Sequence, residues 1–277
     1  MNLAITGATS GIGAVAFQEL CPEFDQIFLL ARNQEKADQL ISSLPKNQQR
    51  KVVFISLDLS DMHSVKSAAN ALSKEADQLD VLINNAGGIF PKKEITKDGF
   101  ELTLSSNHLG HFLLTHHLMP VLLKSGSPKV INVSSEAHRA AKVDFSNLNY
   151  DEGRYSSFNS YANVKLFNIL FTKSLVEKYG EQGLTSYALH PGVVNTNFGK
   201  ESDGIFKIFW KLAKPFMITP KEGAQTTIFL AKETIPQKQN GFYFKKNKPL
   251  VPSGLARSRD LREKLWKISE KMLKEWL

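Results

Sequence analysis

Short, mostly apolar, non-alternating runs are separated by longer segments with helical spacing. The runs cover residues 3–5, 27–31, 52–55, 81–83, 130–133 and 185–189. They are too short and too continuous to be half-exposed alternating strands, so each predicts a strand buried on both faces. The intervening segments predict helices over about 14–21, 33–44, 61–76, 99–123 and 159–179. Asp61 is a suitable cap for the third, Pro45 closes the second, and the fourth ends near Pro120 and the turn 125–128. Strands alternating with helices predict an α/β fold, a parallel sheet with helices on both faces. Right-handed crossovers make it doubly wound. No repeat, low-complexity stretch or long linker divides the chain, so residues 1–277 read as a single domain.

Composition narrows the class. Apolar residues make up 42 % and charged residues 22 % of the chain, which excludes intrinsic disorder. The single cysteine, Cys21, excludes an internal disulfide and a cysteine-based zinc site. No apolar run reaches the ~18 residues of a membrane helix. Residues 1–10 lack the basic and long apolar regions of a signal peptide, so the expected location is cytoplasmic. The net charge of +8 is uneven: residues 1–199 hold 18 basic and 19 acidic residues, residues 200–277 hold 17 and 8. Such a basic quarter fits scattered solvated lysines or an anionic surface. Its lysines are not interleaved with stacking aromatics, so no nucleic-acid partner is expected; peripheral membrane contact stays open.

Seven short motifs follow successive strands. Thr6-Gly7-Ala8-Thr9-Ser10-Gly11-Ile12-Gly13 joins the first strand to the first helix. Its glycines would let backbone N–H groups approach a pyrophosphate, or merely make a tight turn. Its spacing is G-x-x-x-G-x-G rather than G-x-G-x-x-G. Arg32 ends the second strand where an acidic residue would read the ribose 2′-OH of NAD; an arginine suits the 2′-phosphate of NADP, or is a surface residue. Asp58-Leu59 after the third strand suits an adenine edge or a turn. Asn84-Asn85-Ala86-Gly87-Gly88 follows the fourth, and Ser134-Ser135 the fifth, where a hydroxyl could hold a carbonyl oxygen or cap the next segment. Tyr161 and Lys165 share a helix face, and an ammonium beside a phenol should lower the phenol pKa. Pro191-Gly192-Val193-Val194-Asn195-Thr196 follows the sixth strand. Each is ambiguous alone, but a doubly wound sheet gathers such loops at one edge.

TGATSGIG, NNAG, Ser135, YANVK and HPGVVNT together resemble the short-chain dehydrogenase/reductase family, over about residues 6–196. SSNHLGHFLLTHHL, VINVSSEAHR and LREKLWKISEK resemble its retinol-dehydrogenase-like branch. The resemblance implies a Rossmann fold and NADP(H)-dependent exchange between a carbonyl compound and an alcohol. It implies Tyr161 as general acid/base and Lys165 as its partner on the nicotinamide ribose. Ser135, rather than Ser134, would polarise the carbonyl, and Asn107 would anchor a proton-relay water. Gly7, Thr9, Ser10, Gly11, Ile12 and Gly13 would line the phosphates. Arg32 would read the 2′-phosphate, and Asp58, Leu59, Asn85, Ala86 and Gly87 would flank adenosine and ribose. Pro191, Val194 and Thr196 would close over the nicotinamide. Val164 stands where relatives often carry Ser, a change of packing rather than of chemistry. By analogy the helices about 99–123 and 159–179 are candidates for contacts in a homodimer.

Among the seven histidines, His108, His111, His116 and His117 cluster without a metal-ligand spacing, so they read as packed or solvated and no metal is expected. Residues 198–218 read as a substrate lid, with Phe206, Phe209 and Trp210 suggesting a lipophilic carbonyl substrate. A core helix or a surface amphipath is the alternative for that segment. Residues 219–231 predict a capped helix, 241–244 a last strand, and 257–276 a basic amphipathic helix. Two other classes compete with an NADP(H)-dependent reductase. A non-catalytic dinucleotide sensor or scaffold would not need Tyr161, Lys165 and Ser135 intact. An S-adenosylmethionine methyltransferase would not need Arg32.

Overall fold

The computed structural model describes residues 1–192 and 218–277. The strands are β1 (Asn2–Thr6), β2 (Gln26–Ala31), β3 (Val52–Ser56), β4 (Val81–Asn84), β5 (Lys129–Val133), β6 (Thr185–His190), β7 (Tyr243–Lys245) and β8 (Lys248–Pro249). They form one sheet in the order β3-β2-β1-β4-β5-β6-β7-β8. Every neighbouring pair is parallel except β7 with β8. The helices are α1 (Gly11–Leu20), α2 (Gln34–Ser42), α3 (Lys46–Gln49), α4 (Met62–Glu75), the single turn α5 (Leu102–Leu104), α6 (Gly110–Leu122), α7 (Ser157–Tyr179), α8 (Pro220–Lys232) and α9 (Arg259–Met272).

The apolar runs are continuous because both faces of the sheet are covered. Successive strand side chains point to opposite faces. Ala4, Phe28, Leu30, Leu82, Val130 and Ala188 pack with residues of α4, α6, α7 and α9. Leu3, Ile5, Ile27, Leu29, Ile83, Ile131 and Leu189 pack with residues of α1, α2 and α8. The strand order reverses at β1, which lies between β2 and β4. In such sheets the crevice beyond the strand ends at this reversal is where ligands sit.

Local signals set several boundaries. Asp61 caps α4, accepting from the amides of His63 and Ser64. Thr219 and Glu222 form a reciprocal capping box on α8, with proline in the first turn. The structure also differs from the pattern in places. The single helix expected over 99–123 is α5, then a π-turn over Ser105–Leu109, then α6 running past Pro120 to Leu122. The short antiparallel β8 has no apolar run to announce it. It exists because Lys246 and Asn247 both adopt positive φ, 51° and 60°, as a two-residue hairpin turn requires. The helix expected over 257–276 starts at Arg259. The proposed lid, and with it Val194 and Thr196, lies outside the described residues except for Ile218.

Helix α9 completes the face built by α6 and α7. Trp266 lies 4.7 Å from the Phe112 ring centroid and 6.1 Å from that of Phe171. His108 Nε2 meets Ser269 Oγ at 2.9 Å, and His117 meets the Trp276 carbonyl at 2.8 Å. Trp266→Ala is expected to destabilise the protein by about 3–5 kcal/mol in denaturant unfolding. A loss below about 1 kcal/mol would mean that α9 is not part of the folded core.

Candidate active site

The crevice begins with a turn that only glycine accommodates. Gly7 has φ +66°, and a Cβ there would lie 2.6 Å from the Ala86 Cα. Gly11 has φ +58°. A Cβ on Gly13 would meet the Asn85 amide nitrogen and the Gly7 carbonyl at 2.5 Å each. Helix α1 therefore starts tight against the β4 end. Its N-cap, Ser10, makes no side-chain cap, and the first turn carries no acidic residue. The N–H groups of that turn are thus left for an anion. At the end of β2, the exposed Arg32 guanidinium is 4.0 Å from the Asp58 carboxylate. Asp58 is otherwise tied into its own turn, accepting from Ser60 N and Oγ at 2.9 and 2.6 Å. Leu59 is buried, and its carbonyl would be struck at 2.6 Å by a Cβ on Gly110. These features fit a dinucleotide: uncapped N–H donors, close backbone approach and an exposed arginine, paired only with Asp58, at the strand end.

Thr6 holds the crevice together. Its hydroxyl oxygen accepts from the amides of Asn85 and Ala86, both at 3.0 Å. Its own proton then goes to His111 Nε2, 2.9 Å away. His111 must be the Nδ1–H tautomer and donate to the Asn107 carbonyl at 3.3 Å. Burial holds this imidazole neutral, with its pKa pushed down to about 3. His108 is likewise pushed down to about 3 by burial. The histidines are therefore packed groups, and among the described residues no three His, Cys, Asp or Glu side chains gather as a metal site. The pattern places Thr6 at the head of the glycine-rich motif and His111 among the packed or solvated histidines, but not their bond to each other; the partners lie far apart along the chain and leave no local signal.

Asn107 sits in the π-turn, which re-aims its side chain toward the β4 loop. Its Oδ1 accepts from Gly88 N at 3.1 Å, and its Nδ2 donates to the carbonyls of Gly88 and Thr103. A Cβ on Gly87 would lie 2.5 Å from Asn107 Oδ1 and 3.1 Å from Lys165 Nζ, so Asn107, Gly87 and Lys165 converge. Tyr161 and Lys165 are buried on one face of α7, with Lys165 Nζ 5.4 Å from the Tyr161 ring centroid. Lys165 Nζ donates to the Val133 carbonyl at 3.1 Å. The two serines after β5 divide their roles. Ser134 is buried and gives its hydroxyl to the Lys165 carbonyl at 2.6 Å, pinning α7 to the strand. Ser135 is half-buried, caps the following turn and hydrogen-bonds Tyr161.

The expected fall in the Tyr161 pKa is not found. Burial pushes the phenol well above its ordinary value, and the Ser135 hydrogen bond offsets only part of this. The same burial pushes Lys165 down to about 8. Desolvation penalises both charged forms and outweighs their mutual attraction. Val164 is buried and lies in the core with Leu166 and Phe167. Pro191 and Gly192 follow β6 as expected, and a Cβ on Gly192 would meet Ile218 at 2.4 Å. Ser10 is exposed and Thr9 half-buried, while the half-buried Ile12 packs against the core on the α1 side of the sheet. Thr6→Val should strand two amides and one imidazole nitrogen and cost about 3 kcal/mol in urea unfolding, while Thr6→Ser stays near wild type. Equal stability of wild type and Thr6→Val would exclude this knot.

A model of the short chain dehydrogenase family matches residues 2–204. Human retinol dehydrogenase 12 is 38 % identical over 272 residues, covering 98 % of this chain and 85 % of that protein. Human retinol dehydrogenase 11 is 36 % identical over 270 residues, covering 96 % and 84 %. The crystal structure of an uncharacterized protein from Mycobacterium Paratuberculosis superposes with TM-score 0.81 at 30 % identity, over 99 % of this chain and 93 % of that one. NADPH-bound carbonyl reductase from chicken fatty liver superposes with TM-score 0.69 over 91 % and 98 % of the chains; at 23 % identity it speaks to the fold.

Proposed function

The chain belongs to the short-chain dehydrogenase family, and on that premise we propose that it is an NADP(H)-dependent oxidoreductase that reduces a lipophilic aldehyde or ketone. Interconversion of carbonyl and alcohol by hydride transfer is the family's chemistry. The observation that supports the finer reading is the convergence of the buried Tyr161, Lys165 and Asn107 and the half-buried Ser135 at the strand ends beside an uncapped helix N-terminus.

Each side chain has a role that follows from its surroundings. Tyr161, with its pKa raised by burial, is a neutral phenol near pH 7. That is the form that can give a proton to a carbonyl oxygen as the adjacent carbon is reduced. Ser135 hydrogen-bonds Tyr161 and would share the same oxygen. Lys165, with a pKa of about 8, is mostly protonated at neutral pH and stabilises the phenolate left after proton transfer. Asn107 fixes the Gly87-Gly88 backbone beside Lys165. Gly7, Thr9, Ser10, Gly11, Ile12 and Gly13 would hold the dinucleotide phosphates, Arg32 its 2′-phosphate, and Asp58, Leu59, Asn85, Ala86 and Gly87 its adenosine and ribose. When bound, the cofactor supplies the hydride. Pro191, Val194 and Thr196 belong to the same reading at its nicotinamide end. The lipophilic substrate rests on the apolar residues of 198–218 and on the retinol dehydrogenases among the relatives.

Thermal unfolding with equal concentrations of NADP⁺, NADPH, NAD⁺, NADH and S-adenosylmethionine tests the cofactor. NADP(H) should raise the melting temperature most. Arg32→Asp should abolish that preference by weakening NADPH far more than NADH; equal loss of both would remove Arg32 from the phosphate site. Turnover is tested with NADPH and all-trans-retinaldehyde, decanal and glyceraldehyde. The long apolar aldehydes should have the higher kcat/KM, and Tyr161→Phe should bind NADPH yet lose at least about a thousandfold in kcat. A preference for glyceraldehyde would overturn the lipophilic reading, and an active Tyr161→Phe would overturn the acid/base assignment.

A further inference from the structure

Glu101 has no solvent exposure, an unusual position for a carboxylate without a cation against it. Four hydrogen bonds converge on it. Oε1 accepts from Thr103 N at 2.8 Å and from Tyr155 Oη at 3.2 Å. Oε2 accepts from Leu104 N and Ser160 Oγ, both at 2.9 Å. Its backbone N–H is also held, by Asn149 Oδ1 at 2.9 Å. The donors belong to different parts of the site. Thr103 and Leu104 are the turn α5 that leads into the π-turn, and the Thr103 carbonyl itself receives Asn107 Nδ2 at 3.0 Å. Ser160 directly precedes Tyr161 on α7. Tyr155 Oη also lies 3.1 Å from the Phe90 carbonyl, in the loop that Asn107 grips at Gly88.

We propose that Glu101 is a positioning residue for the reaction: one buried carboxylate locks the turn carrying Asn107 and the helix carrying Tyr161 into a single register. This rests on the roles assigned to Asn107 and Tyr161 above. A simple helix cap needs only the two amide bonds to Thr103 and Leu104. The bonds from Ser160 and Tyr155 cross to other elements, and they give the carboxylate a reason to be kept in the core. Each oxygen faces one backbone N–H and one hydroxyl. Glutamine would turn one oxygen into a donor facing a backbone N–H that cannot accept, and would force the hydroxyl beside it to turn round.

The test uses the full chain with NADPH and the fastest aldehyde of the panel above. Glu101→Gln should lower kcat about tenfold or more, since small misplacements of a proton donor are costly. The Kd for NADPH should stay within about twofold, because the phosphate-binding turn is not touched. Ser160→Ala, which removes only the bond from α7, serves as the second variant should Glu101→Gln fold poorly. Hydrogen–deuterium exchange gives a readout independent of turnover. Ser160→Ala should speed exchange in residues 103–109 as well as in α7. Exchange changes confined to the mutated element, or an unchanged kcat in both variants, would overturn the proposal. Tyr161→Phe separates the failures. If it is inactive while Glu101→Gln and Ser160→Ala are normal, only the Glu101 proposal falls. If it is active, the Tyr161 assignment falls, and this proposal with it.

Discussion

A parallel sheet buried on both faces leaves its chemistry nowhere to go but the ends of its strands. Side chains along β1, β2, β4, β5 and β6 are committed to one of two apolar cores. Polar groups inside such a structure must pair with one another or lose free energy. Most of the interior follows this, with Asn84 Oδ1 among the few buried polar atoms left without a partner. Asn84 donates to Thr115 and Asn132, and Asn132 donates to Thr172, a polar line crossing the core from β4 to α7. At the carboxyl ends the same demand is met by Thr6, whose hydroxyl receives two amides of the β4 loop and passes its proton to His111. The bonds that close the fold are therefore the bonds that shape the crevice.

That coupling explains what the amino-acid pattern revealed and what it did not. Continuous apolar runs announced β1 to β6, since a strand covered on both faces has no polar side to display. The glycines of the first turn were legible because φ of +66° at Gly7 and a 2.6 Å approach to Ala86 admit no other residue. Tyr161, Lys165 and Ser135 were legible as candidates through their order along the chain, and Asn107 through the family resemblance. The bonds of Thr6, His111 and Glu101 were not. Each residue works through partners far along the chain, from the Glu101–Asn149 separation of 48 to the Thr6–His111 separation of 105. Periodicity reports a residue's own helix or strand and is silent on such partners. The π-turn was invisible for a related reason: Ser105–Leu109 keeps helical spacing while inserting one wider turn. β8 was invisible because its pairing depends on two positive φ angles rather than on apolar residues.

The Tyr161–Lys165 pair shows how burial reverses a rule drawn from spacing. In water, an ammonium one helical turn from a phenol favours the phenolate. Here both groups are desolvated, and each loses more by being charged than it gains from the other. The phenol stays protonated and the lysine moves to about 8. A neutral phenol beside a mostly protonated lysine is the pairing that the proposed proton donation by Tyr161 requires.

Burial also sets the terms for Glu101. A buried carboxylate with four donors costs desolvation that an apolar residue would avoid, and a stability-driven core would favour the apolar residue. What the carboxylate adds is geometric. Its two oxygens have fixed separation and directionality, so the amides of α5, the hydroxyl of Ser160 and the hydroxyl of Tyr155 cannot shift independently. Leucine would bury comparable area and permit α7 to slide against α5. The distance from Tyr161 to the Asn107 turn would then be set by packing alone, which tolerates small shifts that proton transfer does not. On the proposed roles, a rigid polar tie at this point trades some stability for a fixed register between Tyr161 and the Asn107 turn.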